Sequence, residues 1–191
     1  MKKKILVIGP HPLPDNSPYG GVESVVTNLT DSLSEYIDLD INVISRNGEI
    51  KNDVYARIGN KKVFYVARRS PKILTSLLRD LNIVKKIIYK IKPDIIHTHG
   101  SESAYLALKT NYPCVLTVHG LIWGEQKFSS SIVREIFNFF MRILTERVVA
   151  KSNHIVTINP YSEKILSKYF NSNFFRIVNP VDERFFKIKN S

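Results

Sequence analysis

The chain has 191 residues, 43% of them apolar, with 28 Lys and Arg against 17 Asp and Glu, a formal charge of +11. That length suits one well-packed domain, and the composition excludes disordered and fibrous classes. No apolar run reaches the length of a membrane span, Ile5 to Ile8 is too short for a secretory core segment, and the single Cys114 excludes an internal disulfide, so a cytoplasmic location is expected.

In chain order, Lys4 to Gly9 reads as a short buried strand bounded by charge and by Gly9-Pro10. A loop rich in Pro, Asp, Asn, Ser and Gly runs from Pro10 to Gly21. Val22, Val25, Val26, Leu29 and Leu33 then form a helical stripe. Asp40 to Ser45 alternates like a half-buried strand, and Val63 to Ala67 is another strand. Ser70-Pro71 opens a long helix whose stripe is Leu74, Leu77, Leu78, Leu81, Val84, Ile88 and Ile91; Pro93-Asp94 ends it. Ile95 to Gly100 reads as a strand entering a glycine turn, Ser103 to Lys109 as a short helix, and Cys114 to Gly120 as a strand ending in His-Gly. A broad helix is expected over Ile132 to Lys151, a strand over Ile155 to Asn159, a helix over Ser162 to Phe170 and a last strand near Phe175 to Val178. This alternation predicts an α/β fold: a single Rossmann-like domain, a mostly parallel sheet with helices on both faces.

Ligands of such sheets bind at the carboxyl ends of the strands. Gly9, His99-Gly100, His119-Gly120 and Asn159 are delivered to that edge by four separate strands. Gly20-Gly21 joins the first loop to a helix, where free amides favour a diphosphate, or where the glycines simply cap the helix. Gly9-Pro10-His11 lacks the second and third glycines of the dinucleotide fingerprint, so a nicotinamide or flavin enzyme is not expected. His119 reads either as a donor to a substrate hydroxyl or as a structural residue at a strand end. His97 and His99 share a strand face, but no acidic or cysteine partner stands at ligand spacing, so no metal site is expected. Asp38-Leu39-Asp40 has a D-x-D form and reads as a solvated turn. The helix Ile132 to Lys151 faces either the core or, through exposed Phe and flanking Arg, membrane lipid. The basic residues are dispersed, which fits a solvated surface as well as attraction to polyanions.

Taken together, these segments resemble the family 4 retaining glycosyltransferases. The resemblance is carried by Lys4 to Pro10, Tyr19-Gly20-Gly21-Val22-Glu23, Pro93 to Gly100, Leu116 to Gly120, Ile155 to Ser162 and Ile177 to Asp182. It implies one half of a two-domain GT-B fold: residues 1–182 as the N-terminal, acceptor-side domain and 183–191 as the start of a linker to an absent donor-binding domain. It further implies His119 as the catalytic contact to the transferred sugar, Gly20 and Gly21 against the donor diphosphate, and Glu23, His99 and Asn159 lining the acceptor pocket. The nucleotide-sugar is then a substrate and no cofactor or metal is needed. The partners implied are this donor, a glycan or lipid-linked acceptor, a separate donor-binding half and an anionic membrane at the inner face, with no specific nucleic acid. The family's paired glutamates of the donor half have no counterpart here, so the chain alone is expected to be inactive. The alternative is a non-catalytic subunit that presents an acceptor or docks on a membrane.

Overall fold

The computed structural model describes residues 2–68, 73–121 and 132–179. Its strands are β1 (Lys3–Ile8), β2 (Leu39–Asn47), β3 (Val54–Ile58), β4 (Lys61–Ala67), β5 (Ile95–His99), β6 (Cys114–Val118), β7 (His154–Thr157) and β8 (Asn173–Arg176). Its helices are α1 (Gly21–Ser34), α2 (Ile73–Ile91), α3 (Ser101–Ala107), α4 (Ile132–Lys151) and α5 (Pro160–Tyr169). The strands form one sheet in the order β3-β4-β2-β1-β5-β6-β7-β8. Every neighbouring pair is parallel except the β3–β4 hairpin.

Strand parity divides the core between the two faces. Leu6, Ile8, Ile44, Val66 and Ile96 pack against Val84, Ile88 and Ile91 of α2 and Leu106 and Ala107 of α3. On the same face, Leu116, Val118 and Ile155 pack against Val148 and Val149 of α4 and Leu166 of α5. The opposite face carries Ile41, Val43, Val63 and Tyr65, with Leu33 of α1 packed on them. Near-continuous apolar runs in the central strands follow from burial on both sides.

The sequence pattern misses β3. Its signal is the hairpin turn Gly59-Asn60, where Ile58 pairs with Lys61 and only Gly59 has positive φ, at 57°. Helix α3 begins two residues earlier than expected, directly after Gly100, and α5 begins at Pro160, with Asn159 as its cap. Asp40 belongs to β2 rather than to a turn and pairs with Lys62 Nζ at 2.9 Å. Ser70-Pro71, the side chains of Leu74, Leu77, Leu78, Val133 and Arg134, and the chain from Pro180 onward lie outside the described residues.

Helix α4 is divided along its length. Thr145, Val148 and Val149 are buried, as a core-facing helix requires. In its first turns, however, Ile136, Phe139 and Phe140 are 54%, 58% and 56% exposed, and with Ile143 they form an i, i+3, i+4, i+7 stripe on the side away from the core. The core-facing reading therefore holds for the last turns, while the first turns present exposed aromatic side chains. Truncation should separate them: Ile96→Ala should cost about 2–5 kcal/mol in urea unfolding, whereas Phe139→Ala should stay within about 0.5 kcal/mol.

Candidate functional site at the carboxyl edge of the sheet

The strand order reverses around β1, which has β2 on one side and β5 on the other. At such a point a crevice opens beyond the carboxyl ends. Here it is a cleft of about 400 Å³, whose lining includes Gly9, Arg46, His99, Glu102, His119 and Thr145. Close packing sets its floor: a Cβ added to Gly9 would lie 3.0 Å from Val26 Cγ2 and 3.1 Å from His99 Cβ, so β1, α1 and β5 meet only because that side chain is missing. Gly100 has φ 88°, a conformation that favours glycine, and turns β5 into α3. Ser101 and Thr145 join α3 to α4 at 2.8 Å; because Thr145 donates to the Met141 carbonyl, Ser101 is the donor.

Three histidines gather on one side of this edge. In the parallel register His97 stands opposite Val115 and His99 opposite Thr117. Each imidazole reaches diagonally, His97 to Thr117 of β6 and His99 to His119, one residue beyond the end of β6. His97 Nε2 meets Thr117 Oγ1 at 2.7 Å, and His99 Nδ1 meets His119 Nε2 at 2.8 Å. The His97 and His99 rings are 4.5 Å apart, and the His99 and His119 rings stack at 5.1 Å. His99 is only 4% exposed and its Nε2 is buried without a partner, whereas His119 is half-buried at the cleft. Burial, then the neighbouring His119, pushes His97 down to about 4. Burial, then His97 and His119, pushes His99 down to about 2. His119 is lowered by burial. All three rings are therefore neutral at pH 7.

The other wall is charged. Arg46, at the end of β2, donates from Nε to Asp80 Oδ2 at 2.8 Å and from Nη1 to Glu102 Oε2 at 2.7 Å. Arg68 approaches Glu102 at 3.7 Å. The Asp80 side chain is fully buried, so Arg46 is tied to a carboxylate that has no water to replace it. Sequence reasoning passed over this group. Arg46 closes the alternation of β2 at the same edge, and Glu102 follows His99-Gly100 by two residues, which are the signals that could have found it. His11 was also passed over. It is buried, its Nδ1 donates to the Pro12 carbonyl at 2.9 Å, and it packs edge-on against Tyr65, anchoring the loop after β1.

Of the residues singled out from sequence, the cleft brings together Gly9, His99, Gly100, His119 and Gly120. Gly20 and Gly21 lie outside its lining, exposed at the start of α1. Glu23 Oε2 accepts from the Tyr19 amide at 2.6 Å, closing that turn. Asn159 Oδ1 accepts from Ser162 N at 2.8 Å and caps α5. Among the described residues, no group of three or more His, Cys, Asp and Glu is placed to hold a metal ion.

The sequence over residues 19–185 matches the profile of Glycosyltransferase Family 4. No curated protein matches the sequence. Sucrose-phosphate synthase from Thermosynechococcus elongatus aligns at TM-score 0.76 and 14% identity, over 96% of this chain and 49% of that one. UDP-GlcNAc 2-epimerase from Methanocaldococcus jannaschii aligns at TM-score 0.60 and 16% identity, over 92% and 45%. A glycosyltransferase from Rickettsia africae ESF-5 aligns at TM-score 0.58 and 20% identity, over 97% and 45%. The chain thus spans about half the length of these structures, and the likeness establishes its fold.

The depressed histidines carry a pH dependence. A base held neutral in the folded protein but free to protonate at about 6.5 when unfolded contributes stability that is full above that value. The unfolded chain binds the extra protons as pH falls, so stability should decline from about pH 6.5 towards 4 for His97, and further for His99. Urea midpoints measured across this range should fall on acidification, and His97→Gln should reduce the slope between pH 6.5 and 4.

Proposed function

The chain belongs to glycosyltransferase family 4, and on that premise we propose that it is the acceptor-side half of a retaining transferase. In this reading residues 1–182 form one Rossmann-like half of a GT-B enzyme, and 183–191 begin the connection to a donor-binding half. A sugar passes from a nucleotide-sugar to a glycan or lipid-linked acceptor in the cleft between the halves, and this half alone is inactive. The nucleotide-sugar is a substrate, and no cofactor takes part.

The observation that carries the reading is His119: a neutral imidazole held by His99 at the head of a cleft where the strand order reverses. A ring so fixed meets the transferred sugar without reorganising, which is how a preorganised dipole contributes most to a transition state. Gly20 and Gly21 support the donor side. Gly20 has φ −134°, extended backbone open to any residue, and a Cβ at either glycine would meet nothing within 4 Å. Among the described residues nothing therefore requires glycine there, whereas a diphosphate approaching the exposed amides of the helix start would. Glu23 and Asn159, each held by a local hydrogen bond at the start of a helix, and the buried His99 complete the acceptor-side set.

A second reading concerns where the enzyme works. The exposed Ile136, Phe139 and Phe140, followed along α4 by exposed Arg147 and Lys151, combine apolar area with basic charge, as a helix lying at an anionic lipid surface does. No helix among the described residues is long and apolar enough to cross a membrane, so this contact is peripheral.

Two measurements test these readings. In the two-domain enzyme, His119→Ala should lower kcat about 10²–10³-fold with nucleotide affinity nearly unchanged; equal turnover would remove His119 from the mechanism. Vesicles containing phosphatidylglycerol should retain the protein at low salt and release it at high salt, with zwitterionic vesicles much weaker. The double variant Phe139→Ser/Phe140→Ser should lose most of that retention, and full retention would exclude α4 as the contact.

A further inference from the structure

We propose that His99 is a positioning residue that sets the tautomer of His119: His99 Nδ1–H donates to His119 Nε2, so His119 carries its proton on Nδ1 and presents an N–H donor to the cleft. The consequence for turnover rests on the role given to His119 above. The hydrogen-bond assignment stands on geometry.

A hydrogen bond between two neutral imidazoles uses one N–H and one lone pair, leaving two arrangements for the 2.8 Å contact between His99 and His119. If His119 donated, the single proton of His99 would sit on Nε2. That atom is buried with no partner, so an N–H would be stranded away from water. If His99 donates from Nδ1, its proton is used and only a lone pair is stranded. Buried donors without acceptors are the rarer defect in proteins. A third arrangement, with one ring charged, is opposed by burial and by three rings lying within 5.1 Å of their neighbours. The donor therefore comes from His99, and His119 Nε2 accepts.

The neutral His119 ring has one proton, which this arrangement places on Nδ1. The atom turned to a ligand is then a hydrogen-bond donor and not a base. It can donate to a sugar hydroxyl oxygen or steady an oxygen gaining negative charge, and it cannot remove a proton from the acceptor. A free histidine side chain in water favours the opposite tautomer, so the assignment has a distinctive signature. Sheet register is what enforces it. The diagonal from His99 to His119 repeats the diagonal from His97 to Thr117 one step earlier along the same two strands.

The test is a long-range ¹H–¹⁵N correlation spectrum of the chain labelled with [¹⁵N]histidine at pH 7, where protonated and bare ring nitrogens resonate far apart. Peaks of His119 are identified by their loss in His119→Gln. Expected is a protonated Nδ1 and a bare Nε2 for His119. In His99→Leu, which has no donor, the proton should move to Nε2. In His99→Asn, whose side-chain amide can stand where the imidazole Nδ1 stood, the wild-type pattern should remain. A proton on Nε2 of His119 in the wild type overturns the proposal, as does an unchanged pattern in His99→Leu. If that variant fails to fold, the wild-type spectrum alone decides. In the two-domain enzyme, His99→Leu should lower kcat on the order of tenfold to a hundredfold with donor KM little changed, and His99→Asn should recover most of the loss. A reversed tautomer with undiminished kcat would overturn the catalytic role of His119 while leaving the positioning by His99 intact.

Discussion

At β1 the connections of the sheet change direction: one neighbour is β2, the other β5, far along the chain. The described connections that leave β1 and β5 lead to α1 and α3 on opposite faces of the sheet, so a crevice is left between them. The missing side chain at Gly9 then allows α1 and β5 to approach β1, which brings His99 up against that strand's exit. The position of the cleft, the burial of His99 and the reach of His99 to His119 all depend on this reversal. Moving β5 by one residue would exchange its two faces and send His97 and His99 to the side of α2 and α3.

The two walls of the cleft solve the cost of buried polarity differently. On one wall Arg46 forms an ion pair with the buried Asp80 and a second with Glu102. Removing Arg46 would leave the fully buried Asp80 carboxylate without that cation, which is more costly than losing a surface pair. On the other wall the histidines give up charge altogether and keep polarity only as directed N–H groups and lone pairs.

Helix α4 serves two environments at once. Its last turns bury Val148 and Val149 under α3 and α5, while Met141 and Thr145 reach the cleft. Its first turns hold aromatic side chains in solvent, which a helix with a single apolar face would not do.

Among the described residues, the parallel α/β class, the helices and seven of the eight strands were legible in the sequence, because helical and strand periodicities and glycine or proline boundaries are local signals. So were Gly9, His99 and His119 as residues at the carboxyl edge. The short β3 was hidden because its signal is a two-residue turn rather than an apolar run. Arg46, Asp80 and Glu102 come from β2, α2 and α3, and their meeting depends on long-range packing that no local pattern records. Glu23 and Asn159, expected from the resemblance to line a pocket, take local capping bonds that the sequence around them permits but does not impose. By itself the sequence determined which residues stand at the ends of strands and which face each strand presents. Only the tertiary structure decided which of them touch, because the diagonal that joins His99 to His119 is set by the register of two strands that chain order alone does not fix.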